Sequence, residues 1–211
     1  LIVQKKEMIS DVTGILLAGG RSRRMGKDKR FLSVGEHTLL ERSLAVLQGV
    51  FQSVSIVVGD DSTMIEAAIP VWRDLIPNRG SLGGIYTGLK LSRTPYIFAV
   101  ACDMPFMSPI VIQYLVSLKD NVDVVIPRSE FGPQPTHALY SNRCLPVIEK
   151  MVQSGRLSIK DVVNEASLRV RWVKQTEMSS LDPEGRSFFN VNTPEELEAA
   201  RKMAGSPRIG S

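Results

Sequence analysis

A doubly wound α/β fold with a mostly parallel sheet is what the sequence predicts, and three observations predict it. Short apolar and β-branched runs recur at residues 15–18, 54–58, 95–101, 123–127 and 170–173, a length that suits strands buried on both faces. Segments with apolar residues at helical spacing alternate with them. The first runs end in glycine or acidic residues, Gly19-Gly20, Gly59-Asp60-Asp61 and Cys102-Asp103, and ligands of such sheets gather at the carboxyl ends of strands. At 211 residues and 43% hydrophobic, the chain can bury one sizeable core. One domain over 1–204 is expected, with 205–211 as a flexible tail.

The first run, Ile15-Leu16-Leu17-Ala18, is bounded by glycine on both sides. Gly19 and Gly20 follow, where a turn needs positive φ or a ligand needs close backbone approach. Next comes a basic loop, Arg21, Arg23, Arg24, Lys27, Lys29 and Arg30, with Asp28 as its only acid. The whole chain is only +4, so this loop holds more than all of the net charge and the remainder is slightly acidic. Fixed backbone donors followed by guanidinium and ammonium groups suit a polyphosphate. A solvated basic loop that binds nothing is the plainer alternative, but such loops seldom follow a buried strand and a double glycine so abruptly. Neither the P-loop pattern nor the G-x-G-x-x-G dinucleotide fingerprint fits, because Asp28 stands where the first needs a hydroxyl and Gly19, Gly20 and Gly26 lack the spacing of the second.

Residues 38–47 predict a helix with Thr38 as N-cap and Gly49 as stop. The strand at 54–58 follows, then a short helix at 63–69 and a brief strand at Val71-Trp72 leading to Asp74. Residues 74–88 are rich in glycine and turn formers, including Gly80, Gly83 and Gly84. They read equally as a surface loop capping a helix from Gly84 or as a second ligand loop. The strand at 95–101 delivers Asp103, either a turn aspartate or a carboxylate in the ligand crevice. Mg2+ that bridges polyphosphate oxygens is held by one or two carboxylates, and Asp103 is the best-placed candidate.

A helix at 109–118 and the strand at 123–127 come next. The prolines of 128–139 forbid regular helix, so that stretch is a loop or hairpin arm, with His137 a hydrogen-bonded strand residue without a catalytic role. Helices follow at 142–153, stopped by Ser154-Gly155, and at 157–165 with Ser158 as its cap, then the strand at 170–173. Asn190 and Asn192 fall on one side of an extended segment. Thr193, Pro194 and Glu196 then open the last helix with a capping box.

No 18-residue apolar run is present, and the first ten residues lack the long apolar core of a secretory signal. Cys102 and Cys144 are far apart, which reads as cytosolic thiols and argues against a structural zinc site. A cytoplasmic protein without a membrane partner is expected. His37 and His137 are the only histidines, which argues against a histidine metal centre. Aromatics make up 6% of the chain and none lies among the basic residues before Phe31, so a nucleic-acid surface is disfavoured.

The stretch LLAGGRSRRMGKDK resembles the opening signature of nucleotidyltransferases, L-x-(A/G)-G-G-x-S-x-R-M-G-x-x-K, and within them is most similar to the molybdenum cofactor guanylyltransferase family. The match falls on Leu17, Ala18, Gly19, Gly20, Ser22, Arg24, Met25, Gly26, Asp28 and Lys29. It continues at Asp74, at the glycine block with Gly83, at Asp103, at Gln134-Pro135-Thr136-His137 and at Asn190-Val191-Asn192-Thr193-Pro194, and so covers nearly the whole chain. The resemblance implies a Rossmann-like nucleotidyltransferase fold with a nucleotide half at about 13–105 and an acceptor half at about 106–204. It implies transfer of GMP from GTP to the terminal phosphate of molybdopterin, with release of pyrophosphate. Leu17, Ala18, Gly19, Gly20, Ser22, Lys29, Asp74, Gly83 and Asp103 would bind the nucleotide, with Arg24, Lys29 and Asp103 catalytic. Asp103 would hold Mg2+, and Gln134, Asn190 and Asn192 would face the acceptor. Cofactor-biosynthesis proteins or apo-molybdoenzymes would be transient partners. Gly59 departs from the family, where some members carry an asparagine that contacts the nucleotide. A CTP-dependent sibling reads LAAG and D-I-D-T at positions where this chain has LAGG and N-V-N-T, which favours GTP; the asparagine pair and short chain argue against a sugar-phosphate nucleotidyltransferase.

Overall fold

The computed structural model describes residues 7–19, 28–59, 65, 67–76, 78–130, 132–156 and 158–205. The first apolar run is the end of a longer strand, β1 (Ile9–Leu17), buried from Val12 onward. A 3-10 turn (Lys29–Phe31) and a small hairpin of β2 (Ser33–Val34) and β3 (His37–Thr38) lead into α1 (Leu39–Val50). The predicted cap is present: Glu41 N donates to Thr38 Oγ1 at 3.2 Å, and Thr38 N donates to Glu41 Oε2 at 2.7 Å. Gly49 does not stop this helix. It sits exposed within the last turn, while Val50 and Phe51 are drawn into the core and carry the chain straight on into β4 (Phe51–Val58).

The expected helix at 63–69 falls partly outside the described residues, and the described part of it, Ile65 and 67–69, is not helical. β5 (Val71–Arg73) matches the brief strand. α2 (Gly80–Leu91) begins four residues before Gly84, because its glycines lie inside a helix pressed against the sheet and not in a loop. β6 (Tyr96–Ala101), α3 (Pro109–Ser117) and β7 (Val124–Ser129) follow the sequence reading closely. The proline-rich stretch is a hairpin arm, with β8 (Gly132–Pro133) folded back on β7 and β9 (His137–Ser141) entering the sheet.

α4 (Cys144–Gln153) ends at Ser154-Gly155 as expected. α5 (Ile159–Val162) is shorter than its pattern, since turn bonds from Asn164 N to Asp161 O and Glu165 N to Val162 O close it, and Ser158 makes no side-chain cap. β10 (Val170–Lys174) completes the sheet. α6 (Gln175–Met178) and a 3-10 turn (Arg186–Phe188) had no counterpart in the sequence reading. α7 (Pro194–Gly205) is opened by the Thr193–Glu196 capping box, and the predicted tail beyond it lies outside the described residues.

The main sheet runs β10-β7-β9-β6-β1-β4-β5, with β8 pairing β7 at its side. β9 is antiparallel to both neighbours, β6 and β7, and the other pairings along that path are parallel, so the sheet is mixed and mostly parallel. Alternation along β1 feeds two cores: Val12 and Leu16 pack on the α1 and α3 side, Ile15 and Leu17 on the α2 and α4 side. A smaller cluster of Val34, Leu39, Phe106, Val191, Leu197 and Ala200 fastens α7 to the hairpin and to the segment after β6. No helix among the described residues is long and apolar enough to cross a membrane.

His137 is fully buried on β9, edge-on to Phe98 and Phe188, and neither ring nitrogen has a hydrogen-bond partner, contrary to the hydrogen-bonded residue expected. Burial pushes its pKa from 6.5 down to about 3. The unfolded chain therefore binds a proton below pH 6.5 that the folded chain refuses, and stability falls as pH falls from 6.5 toward 3. Urea unfolding should show His137→Leu gaining about 2 kcal/mol relative to the parent chain between pH 6.5 and pH 5; a pH-independent difference would count against a neutral buried imidazole.

Candidate functional site

Three parallel strands end at one level. Leu17 pairs with Val57 of β4 and with Ala101 of β6, and backbone bonds continue beyond the strands. Ala18 N donates to Val57 O at 2.8 Å, Asp74 N to Val58 O at 2.9 Å, and Cys102 N to Leu17 O at 3.3 Å. The chain leaving β1 is pressed onto the chain leaving β4, so closely that a Cβ on Gly19 would stand 2.8 Å from Gly59 N. Leu17 and Ala18 are buried beneath this edge. Gly20, Ser22 and Arg24, with the rest of 20–27, lie outside the described residues.

The described end of the basic segment divides its charges. Asp28 caps the 3-10 turn by accepting from Arg30 N at 3.1 Å, and it also accepts from Arg30 Nε at 2.8 and 2.9 Å. That pairing holds the Asp28 carboxyl below its ordinary pKa. Arg30 is only 4% exposed and its guanidinium lies over Phe31, so its charge is engaged within the turn and is not presented openly as the basic loop suggested. Lys29 points the other way. Its Nζ lies 2.5 Å from Asp103 Oδ2 and 3.5 Å from Asn192 Oδ1.

Asp103 sits just past β6, where the strand passes its backbone to the C-terminal segment: Val191 N donates to Asp103 O at 2.9 Å. Its Oδ1 is buried without a hydrogen-bond partner, so the carboxylate has more acceptor capacity than Lys29 uses. Among the described residues no group of three or more His, Cys, Asp or Glu could hold a metal. A cation at Asp103 would complete its shell with ligand oxygens and water, which is the habit of Mg2+. The neighbouring Cys102 is no nucleophile, because burial pushes its thiol up to about 12.

Asp74 flanks the same edge beyond β5. Its Oδ1 accepts from Ile76 N at 2.9 Å and from Thr87 Oγ1 at 3.1 Å, while Thr87 Oγ1 also accepts from Leu75 N at 2.9 Å. Burial nevertheless raises its pKa above the ordinary carboxylate value. Gly83 belongs to this arrangement: a Cβ there would strike the Asp74 carboxylate and stand 2.7 Å from Ile76 O.

The structure does not gather every predicted residue at Asp103. Gln134 is buried in the hairpin, its Nε2 donating to Ser129 Oγ at 2.9 Å and Gly132 O at 3.3 Å. Asn190 Nδ2 donates to Phe188 O at 2.9 Å, so of the asparagine pair only Asn192 meets Lys29. Two contacts escaped the sequence reading, the Thr87–Asp74 bond and the reach of the capping-box Glu196 to Asn192 N. Thr87 braces Asp74, and the Glu196 carboxylate accepts from Asn192 N at 2.6 Å as well as from Thr193 N at 2.9 Å. The capping-box pattern announces Glu196, but no local signal announces Thr87.

Lys29, Asp103 and Asn192 thus converge at the carboxyl edge of a sheet whose fold is that of nucleotidyltransferases. A solved structure from Archaeoglobus fulgidus, named molybdopterin-guanine dinucleotide biosynthesis protein A, matches with a TM-score of 0.78 and 28% identity over 90% of this chain and 97% of that one. The chain belongs to the MobA-like NTP transferase family, whose domain matches residues 14–170. A relative from Desulfosudis oleivorans named molybdenum cofactor guanylyltransferase is 39% identical over 94% of this chain and 98% of its own. Another from Pelotomaculum thermopropionicum, named probable molybdenum cofactor guanylyltransferase, is 37% identical over 94% and 96%.

Gly83→Ala should destabilise the protein by about 1–3 kcal/mol in urea unfolding, because Asp74 and the Ile76 carbonyl must both move. Gly49→Ala, exposed in α1 with nothing near its Cβ position, should instead stabilise by up to about 1 kcal/mol.

Proposed function

We propose that the protein transfers GMP from GTP to the terminal phosphate of molybdopterin, forming molybdopterin guanine dinucleotide and releasing pyrophosphate. The observation that carries this reading is the convergence of three distant motifs, since Lys29 reaches both Asp103 and, across 163 positions of sequence, Asn192. Relatives that match nearly end to end and are named guanylyltransferases supply the choice of base and acceptor.

The acceptor phosphate is already anionic, so no protein nucleophile is required and catalysis rests on positioning and charge neutralisation. Lys29, with Ser22, Arg24 and the Gly19 and Gly20 amides, holds the β- and γ-phosphates and steadies the departing pyrophosphate. Asp103 holds Mg2+, which when bound draws charge from the phosphate oxygens. Leu17, Ala18, Asp74 and Gly83 bound the base and ribose. Asn192 faces the pterin where the nucleotide half, about 13–105, meets the acceptor half, about 106–204; Asn190 and Gln134 shape the acceptor side. A cytoplasmic setting, and transient contacts with cofactor-biosynthesis proteins or apo-molybdoenzymes, belong to the same reading.

Titration against GTP, CTP, ATP and UTP with Mg2+, beside an Asp103→Ala variant, tests the assignment. GTP should bind preferentially, and the variant should lose the Mg2+ dependence. Lys29→Ala should lower kcat/KM in a pyrophosphate-release assay by about 10²–10³-fold. Preference for CTP would change the product, and failure to bind any nucleotide would remove the reading.

A further inference from the structure

The ammonium of Lys29 stands at the Asp103 oxygen that a metal would need. Oδ2 is 2.5 Å from Lys29 Nζ, and Oδ1 is buried. The two side chains are only 20% and 12% exposed, so their attraction escapes the screening that weakens surface pairs. A divalent ion arriving alone meets a carboxylate already neutralised and a fixed positive charge beside it. A polyphosphate alters that balance, because its oxygens give the ammonium another anion to neutralise and offer the metal further ligands.

We propose that Lys29 and the divalent metal exchange at Asp103: Lys29 guards the carboxylate until a polyphosphate draws the ammonium away, so that metal and nucleotide enter together. Asn192 Oδ1, 3.5 Å from Nζ, gives the lysine a second acceptor along the way. Each ligand then strengthens the other by the same factor, as linkage requires. The exchange rests on the proposed function in taking Lys29 as a phosphate ligand and Asp103 as a metal ligand.

Mn2+ binding to the full chain, followed by electron paramagnetic resonance without nucleotide, isolates the guarding step. Lys29→Met should bind Mn2+ at least about tenfold more tightly than the parent chain, the factor set by releasing one charge-assisted bond. The gain should vanish in the Lys29→Met/Asp103→Ala double variant. Lys29→Gln, which keeps a polar contact without the charge, should show the same direction and serves where the Met variant fails to fold. Unchanged or weaker Mn2+ affinity in the lysine variants would overturn the exchange. A parallel GTP titration separates the two ideas. Metal-dependent GTP binding with unchanged Mn2+ affinity in Lys29→Met would sink the exchange and spare the proposed function. Tighter Mn2+ binding in Lys29→Met beside a parent chain that itself binds no GTP would overturn the proposed function, and the polyphosphate trigger with it.

Discussion

The backbone register of three neighbouring parallel strands determines where polar chemistry can gather in this molecule. β1 lies between β4 and β6, and Leu17, Val57 and Ala101 sit side by side at its end. Toward their carboxyl ends the strands are buried on both faces by apolar side chains, so charged groups are shut out of that part of them. They are admitted where the strands stop, and since the strands stop together, Gly19, Gly59 and Asp103 come off one edge. The bonds from Ala18 to Val57, Asp74 to Val58 and Cys102 to Leu17 extend the ladder past the sheet and stitch these exits to one another. Sequence-distant loops are thereby held on the same frame as the core, and this is what rigid positioning of a reacting phosphate requires.

Within that frame, equal formal charges meet different fates. Lys29 and Arg30 are adjacent, yet the single turn of 3-10 helix sends one to Asp103 and folds the other back on Asp28. Arg30, with five donors in a fixed fork, satisfies the capping aspartate and stiffens the turn. Lys29, a compact cation on a flexible stem, is left at the crevice. The sharp turn of charge toward the site therefore depends on a neutralised neighbour, and the net charge of the basic segment overstates what it can present to a ligand.

How much of this could be read from the sequence follows the range of the interactions. Strands were legible because their apolar runs are contiguous, and the caps at Thr38 and Thr193 were legible because both partners lie within one turn. Gly49 and Gly84 misled for a common reason: glycine signals a stop only where nothing else holds the helix. At Gly49 the burial of Val50 and Phe51 outweighs that signal, and in α2 glycine serves to bring a helix close to a sheet. Arg30 looks like its neighbours until the turn is built. His137 looks like any strand histidine until Phe98, from β6, and Phe188, from a segment near the C-terminus, pack against its ring, whose nitrogens are left without a partner. Of the site, Asp103 was legible from its place after a buried strand, whereas the meeting of Lys29 with Asn192 had no local signal, the family resemblance having placed Asn192 only on the acceptor side.

The return of the chain's last segment to Asp103 has a physical logic of its own. A carboxylate at a strand end is anchored on one side only, by the strand that carries it. Here the backbone of Asp103 also accepts from Val191, which is fully buried in the small cluster beneath α7. The next two N–H groups, of Asn192 and Thr193, are both taken by Glu196 from the first turn of that helix. The capping box thus does two tasks: it satisfies the helix N-terminus, and it fixes the backbone of the one asparagine that faces Lys29. Because Leu197 and Ala200 of α7 pack in the same cluster as Val191, loosening the helix would loosen the asparagine and the aspartate together. Asp103 and Asn192 are therefore mechanically one unit, and the distance between them is set by a short stretch of hydrogen-bonded backbone, a stiffer spacer than side-chain contacts alone would supply.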